Sequence, residues 1–111
     1  MSISANRVSL VTGGARGIGR GCALKLASLG SSIVLVDLLE KEMANTKKEI
    51  EALGVSCITF VADVSDHKRA KEIASDAFLK FGRIDVLVNN AGKANPKGIL
   101  EITEDEYDTT L

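Results

Sequence analysis

The sequence lacks both a long hydrophobic segment and an excess of charge of either sign. Its longest uninterrupted apolar run is Ile33 to Val36, whereas a helix needs about 20 apolar residues to span a bilayer. The 14 Lys and Arg residues nearly balance the 15 Asp and Glu residues, so neither nucleic acid nor an anionic membrane is an expected partner. Because the N-terminus also has no apolar signal-peptide core, we expect a soluble cytoplasmic protein.

Cysteine and histidine are scarce. Cys22 and Cys57 lie 35 positions apart without a CxxC spacing, and the single histidine, His67, stands among charged residues. This pattern gives no support for a metal centre or a redox disulfide. We expect both cysteines to be buried thiols that pack as small hydrophobic residues, and we expect His67 to be solvated in the first turn of a helix.

What the sequence does contain is an alternation of short apolar runs with segments of helical periodicity. The runs predict four strands buried on both faces, at Val8–Thr12, Ile33–Asp37, Cys57–Asp63 and Ile84–Asn89. Between them, three stripes of helical spacing predict helices: Ile18, Cys22, Leu26 and Leu29; Met43, Lys47, Ile50 and Leu53; and Ala70, Ile73, Ala74, Ala77, Phe78 and Phe81. A glycine suited to a left-handed C-cap follows each stripe, at Gly30, Gly54 and Gly82. The alternation predicts an α/β fold with a parallel sheet.

A glycine cluster, TGGARGIG from Thr12 to Gly19, separates the first strand from the first helix. A helix N-terminus favours a phosphate, and glycine lets the anion approach the main chain. A P-loop does not fit, because Arg20 and Gly21 stand where Lys and Ser or Thr are required. The general GxGxxG fingerprint does not fit either, because Cys22 replaces its last glycine. The pattern present is GxxxGxG, at Gly13, Gly17 and Gly19.

Preceded by Thr12, this pattern resembles the cofactor loop TGxxxGxG of the short-chain dehydrogenase/reductase family. The resemblance continues with Asp37 at the end of the second strand, Asp63 and Val64 after the third, and NNAG after the fourth. It implies a doubly wound, Rossmann-like parallel sheet with strand order 3-2-1-4. It also implies hydride transfer between a nicotinamide cofactor and a secondary alcohol or ketone, in a homo-oligomer that is a dimer or a tetramer.

The same resemblance implies cofactor contacts at each motif. The loop glycines and the main chain around Ile18 would line the pyrophosphate, and a bulky replacement of Gly19 would block it in a folded protein. Asp63 would accept from the adenine amino group, and the Val64 N–H would donate to the adjoining ring nitrogen. Small residues would leave room near the nicotinamide, at Asn90, Ala91 and Gly92. Each position also has a purely structural interpretation, such as a strand-end Asp63 before a helix capped by Ser65.

The charges near the second strand favour NAD over NADP. Asp37 would accept hydrogen bonds from the adenosine ribose hydroxyls, and its carboxylate would repel the additional phosphate of NADP. The next residue is Leu38, not a base. Arg16 argues in the other direction, because a basic residue in the glycine loop also occurs in family members that take NADP. We therefore expect NAD as the cofactor, with NADP as the less favoured alternative.

The tyrosine and lysine that catalyse the reaction in this family have no counterpart in the sequence. The only tyrosine, Tyr107, is followed four residues later by Leu111 and not by lysine. Thr103 and Glu106 form a capping box that predicts a new helix, and the sequence ends within it. We interpret residues 1–111 as the dinucleotide-binding portion of one Rossmann domain of a longer enzyme, and we assign no catalytic residue in it.

Two other functions stay open at this point. A nucleotide-binding module without catalysis would need the same loop. An S-adenosylmethionine methyltransferase is less favoured, because its GxGxG loop matches Gly17, Gly19 and Gly21 but the acidic residue usual before that loop is replaced by Thr12. Among dehydrogenase substrates, a polyol, a sugar, a 3-oxoacyl thioester and a small diketone are all compatible with the sequence.

Overall fold

The computed structural model describes residues 7–90 of the 111-residue chain. Strands and helices alternate in it: β1 (Val8–Thr12), α1 (Gly17–Ser28), β2 (Ser32–Asp37), α2 (Glu40–Glu51), β3 (Cys57–Val61), α3 (His67–Phe81) and β4 (Val86–Asn89). All pairings are parallel and the strand order is β3-β2-β1-β4, which confirms the predicted doubly wound fold. Several predictions concern positions outside the described residues: Ala91, Gly92, Thr103, Glu106 and Tyr107.

The continuous apolar runs reflect a sheet that is covered on both faces. Ile33 and Leu35 of β2 pack with α1 and α2 in one core cluster. Val34 and Val36 point the other way and pack with α3 in a second cluster. None of these four side chains is exposed, and each contributes about 1.5–3 kcal/mol when removed from water. Successive residues of β2, one of the two inner strands, therefore pack against helices on opposite faces of the sheet.

Two strands are shorter than the sequence predicts. β3 ends at Val61 and not at Asp63, and β4 begins at Val86 and not at Ile84. The apolar residues beyond each end are buried in the α3 cluster without extending the strand, at Ala62 and Ile84. The apolar character of Ala62 and Ile84 therefore indicates burial and does not indicate that they pair within the sheet.

The buried face of α1 also differs from the predicted stripe. Gly19, Ala23 and Ala27, spaced four residues apart, are its buried residues. Ile18 is 73% exposed, while Cys22 and Leu26 are only partly buried at the margin of the core. Small residues let the helix lie close to the sheet, so in α1 the large apolar side chains flank the contact instead of forming it.

The other two helices follow their predicted stripes more closely. In α2, Met43 and Ile50 are buried and Lys47 lies half-buried at the margin, but Leu53 lies beyond the helix end and is 49% exposed. Cys57 is buried as predicted and His67 is exposed at the start of α3. The predicted left-handed C-cap glycines have positive φ angles, at Gly30, Gly54 and Gly82. Within residues 7–90, none of the helices has the length and apolar composition that crossing a bilayer requires.

Asp85 connects the start of β4 to β1. Its Oδ2 accepts a hydrogen bond from the Val8 N–H at 2.9 Å, and its two carboxylate oxygens accept from the Arg83 guanidinium at 2.6–3.0 Å. Burial acts to raise the pKa of Asp85, but the bonds from Arg83 and Val8 outweigh burial and hold the pKa below its usual range. The ionised carboxylate therefore stabilises the folded state.

We expect Asp85→Asn to reduce the loss of stability that acid causes. Because the folded-state pKa is depressed, the contribution of Asp85 is present above the unfolded pKa of about 3.9 and is lost as the pH falls through the folded value. Urea unfolding between about pH 2 and pH 7 measures it. The variant should be less stable than the wild type at neutral pH and approach it in acid; a constant difference at every pH would contradict this role.

Candidate functional site

The carboxyl ends of the four strands open into a cleft of about 630 Å³. Ligands of open parallel sheets bind at this edge, where the strand order reverses. Nine of the ten described candidate residues line the cleft: Gly13, Arg16, Gly17, Ile18, Asp37, Leu38, Asp63, Val64 and Asn90. Four further residues with no predicted cofactor contact also line it, at Leu39, Ala62, Ser65 and Asn89; each lies next to or within a recognised motif, which is the signal that could have identified it.

Two glycines give the loop after β1 its shape. Gly13 has a φ of 68° and Gly17 a φ of 62°, values that strain any residue with a side chain. The Gly13 N–H donates to the Val36 carbonyl at 2.8 Å, which extends the contact between β1 and β2 into the loop. The main chain then reaches the N-terminus of α1 beside the cleft, with Gly13 and Gly17 both in the cleft lining.

The N-terminus of α1 presents its main chain to this cleft. Its N-cap, Arg16, makes no side-chain capping bond, and the first turn contains no acidic residue. In contrast, the first turn of α2 contains Glu40 and Glu42, and α3 is capped by Asp66. The N–H groups and the positive dipole end of α1 therefore favour an anionic group.

Gly19 lies behind the cleft and does not line it. A Cβ placed on Gly19 would lie 1.9 Å from the Gly13 carbonyl oxygen and 2.9 Å from Asn90 Nδ2. The absence of a side chain lets α1 pack directly on the loop backbone. The close contact argues against the prediction that a bulky residue at Gly19 leaves the fold intact, because the atoms it would meet first belong to the main chain of the loop.

Asp37, at the end of β2, connects two loops. Its Oδ2 accepts from the Ala15 N–H at 3.0 Å, and its Oδ1 accepts from the Leu39 N–H at 3.1 Å. The carboxylate is half-buried beside the glycine loop, and Leu38 next to it is 61% exposed. Since two carboxylate oxygens together accept about four hydrogen bonds, Asp37 retains capacity for donors inside the cleft.

Asp63 is exposed at the cleft beyond the end of β3. Its Oδ1 accepts from the Ser65 hydroxyl at 2.7 Å and from the Ser65 N–H at 2.9 Å. These two bonds hold the pKa of Asp63 below its usual range, so the carboxylate is ionised at neutral pH. The alternative structural interpretation, in which Ser65 caps α3, does not hold, because the cap is Asp66, whose Oδ1 accepts from the Arg69 N–H at 3.2 Å.

Thr12 joins the ends of β1 and β4. Its buried hydroxyl donates to Asn89 Oδ1 at 2.8 Å and accepts from the Asn90 N–H at 3.0 Å. These bonds fix Asn90 at the cleft. Sequence reasoning noted Thr12 only as the first residue of the loop motif and gave Asn89 no role; the positions of both at strand ends were the available signal.

Comparison with known proteins gives one family. The family model described as short chain dehydrogenase matches residues 7–111. The chain is 41% identical over 101 residues to a diacetyl reductase, (S)-acetoin forming, of Staphylococcus epidermidis, covering 91% of this chain and 39% of the relative. It is 44% identical over 103 residues to an L-2,3-butanediol dehydrogenase of Corynebacterium glutamicum, covering 91% and 40%. The chain thus spans about two fifths of the length of these curated relatives.

Solved structures with a similar fold include complexes with both nicotinamide cofactors. Carveol dehydrogenase from Mycobacterium avium in complex with NAD has a TM-score of 0.78 at 28% identity, over 83% of this chain and 38% of that one. A metagenomic short-chain oxidoreductase in complex with NADP has a TM-score of 0.75 at 37% identity, over 81% of this chain and 42% of that one.

Proposed function

The chain belongs to the short-chain dehydrogenase family, and from that premise we propose that its cleft binds a nicotinamide dinucleotide as the cofactor-binding part of an oxidoreductase. One observation carries the proposal. Candidate residues from four separate segments of the sequence, each following a different strand, line the same cleft. Such convergence at the switch point of a doubly wound sheet is the arrangement that dinucleotide sites use.

The residues present fit the parts of such a cofactor. The N-terminus of α1 receives the pyrophosphate together with Gly13 and Gly17, because uncapped N–H groups and a dipole end meet it there. Asp37 accepts from the adenosine ribose hydroxyls, and exposed Leu38 offers apolar surface beside it. Asp63 and the Val64 N–H pair with the adenine edge. Asn90 borders the nicotinamide end, where the bound cofactor supplies or takes up hydride; the predicted contacts of Ala91 and Gly92 lie outside the described residues.

Within this proposal, NAD is the preferred cofactor. Asp37 is held in place by two main-chain N–H groups, so its charge cannot easily turn away from a phosphate on the ribose. Two unit charges 4 Å apart repel by roughly 4 kcal/mol at an effective dielectric near 20. Arg16 lines the same cleft and offsets part of this repulsion. Because both NAD and NADP complexes occur among similar structures, the preference rests on Asp37 and its partners.

The substrate that we propose is a small secondary alcohol or ketone, turned over by a homo-oligomeric cytoplasmic enzyme. Support for the substrate class comes from the relatives named as a diacetyl reductase and a butanediol dehydrogenase. Small vicinal hydroxyketones and diketones are therefore the first compounds to test. The methyltransferase alternative loses support, because Gly21, the one glycine that only its loop pattern requires, lies outside the cleft lining.

Calorimetric titration of the full-length protein tests the proposal. NAD and ADP-ribose should bind, and S-adenosylmethionine should not. Oxidation of NADH should then follow addition of diacetyl or acetoin to the protein. Binding of NAD without turnover of any alcohol or ketone would favour the non-catalytic module, whereas failure of every dinucleotide to bind would contradict the proposed site itself.

A further inference from the structure

Thr46 lies outside the cleft lining, on the buried face of α2, and contacts the glycine loop from behind. We propose that Thr46 is a positioning residue: its hydroxyl holds the main chain of Ala15, and through it Asp37, in the arrangement that binds the dinucleotide and selects NAD. This inference rests on the proposed function, and it assigns to α2 a part in cofactor binding that no sequence motif indicates.

The proposal rests on the hydrogen bonds of Ala15, whose main-chain N–H and carbonyl are both bonded to side chains from other elements. The Ala15 N–H donates to Asp37 Oδ2 at 3.0 Å, and the Ala15 carbonyl accepts from Thr46 Oγ1 at 2.9 Å. Ala15 itself is only 2% exposed. A residue of the glycine loop is thus clamped between the end of β2 and the middle of α2.

Helix α1 does not provide a hydrogen bond that could replace this one. The α1 hydrogen-bond ladder begins with the Arg20 N–H donating to the Arg16 carbonyl, one residue after Ala15. A buried carbonyl deprived of its donor retains the full cost of having left water. Removal of the Thr46 hydroxyl therefore favours a change in the conformation of the loop, because such a change can bring the Ala15 carbonyl a new donor.

The hydroxyl of Thr46 is shared between two acceptors. It lies 2.9 Å from the Ala15 carbonyl and 3.1 Å from the Glu42 carbonyl, one turn earlier in α2. A helical threonine can satisfy its hydroxyl with that preceding carbonyl alone. Thr46 is also only 1% exposed, and a buried position that required only packing would be filled equally well by valine. The additional contact with Ala15 is what threonine provides.

The effect on binding follows from the position of Ala15. Its carbonyl belongs to the peptide unit that leads into Arg16, the N-cap of α1, so rotation there redirects the N–H groups that face the proposed pyrophosphate. Its N–H belongs to the peptide unit that fixes Asp37 Oδ2. Removing the Thr46 hydroxyl should therefore weaken binding of both cofactors and also reduce the discrimination between them.

The test compares Thr46→Val, which keeps the volume and removes the hydroxyl, with Thr46→Ser, which keeps the hydroxyl and removes a methyl group. In the full-length protein, calorimetry should show a Kd for NAD raised about tenfold in Thr46→Val and about twofold or less in Thr46→Ser, the former matching the loss of one hydrogen bond. The ratio of the NADP Kd to the NAD Kd should fall in Thr46→Val. Thr59→Val, the same substitution in β3 away from the cleft, should leave both constants unchanged.

The outcomes separate the two proposals. Wild-type protein that binds no dinucleotide contradicts the proposed function. Wild-type protein that binds NAD, with Thr46→Val binding it equally well, leaves the function intact and overturns the positioning role, as does a Thr46→Ser variant that loses as much affinity as Thr46→Val. If Thr46→Val does not fold, Thr46→Cys replaces it, because the thiol is a weaker donor than the hydroxyl; an unchanged Kd in that variant overturns the inference equally.

Discussion

Replacing Gly19 with alanine is expected to lower the free energy of unfolding by about 3 kcal/mol, whereas Gly21→Ala, two positions further along α1, should raise it by about 0.5–1 kcal/mol. An added Cβ at Gly19 would lie 1.9 Å from the Gly13 carbonyl oxygen and 2.7 Å from its carbonyl carbon. Both atoms belong to the backbone of the loop, so either the loop or the helix has to move. At Gly21 an added Cβ meets no atom within 4 Å apart from its chain neighbours and the backbone of its own helix.

Gly21→Ala serves as the control for Gly19→Ala. Both gain the helix propensity of alanine over glycine, so the difference between them isolates the steric contact at Gly19. Urea unfolding of each variant beside the wild type, with comparison of the slopes, measures the two free energies. Equal stabilities of the Gly19 and Gly21 variants would show that α1 does not pack on the loop as closely as the structure places it.

The elements and their order could be predicted because the relevant signals are local. Four β-branched runs separated by helical spacing are visible in the sequence, and the left-handed glycines mark where helices end. The strand limits could not be predicted, because they depend on side chains that act at the ends of the ladder. Asp85 bonds the Val8 N–H before β4 begins, and Asp63 turns back to Ser65 after β3 ends. The first contact exists only once β1 and β4 are adjacent, and the second is a local turn that the hydrophobic pattern does not report.

The prediction of the buried face of α1 was wrong for a different reason. Hydrophobic size favours Leu26 and Leu29, whereas the helix approaches the sheet through Gly19, Ala23 and Ala27. The contact selects small residues, which carry little hydrophobic signal. Periodicity alone therefore identified the helix but placed its contact about one residue away from the true face.

Most residues of the candidate site could be predicted from the sequence, but the contacts between them could not. Motif spacing identified Gly13, Asp37 and Asp63, each of which lines the cleft. It could not indicate that Asp37 is bonded to Ala15, or that Thr46 reaches the same loop from α2. Hydrogen bonds between residues 22 and 31 positions apart leave no periodic trace in a single sequence.

The double variant Asp37→Ser, Leu38→Arg is expected to shift cofactor preference from NAD towards NADP by about 1–3 kcal/mol, the range of a hydrogen bond to a charged group. The serine removes a carboxylate that two N–H groups hold in the cleft. The arginine replaces a side chain that is 61% exposed at the cleft, and its guanidinium matches the geometry of a phosphate. The ratio of kcat/KM for NADPH to that for NADH measures the shift.

Only the ratio is diagnostic, because losing the Asp37 carboxylate also removes the acceptor of the Ala15 and Leu39 N–H groups and should weaken both cofactors. Asp76→Ser with Leu79→Arg is a matched control: it makes the same two replacements on exposed positions of α3, so it changes the net charge equally while leaving the cleft intact. Its ratio should equal that of the wild type.

A wild-type protein that already prefers NADP would show that Arg16 outweighs Asp37, and Arg16→Ala should then move the preference back towards NAD. If Arg16→Ala leaves that ratio unchanged, neither charge at the mouth of the cleft sets the preference, and the assignment of the ribose to the end of β2 is wrong.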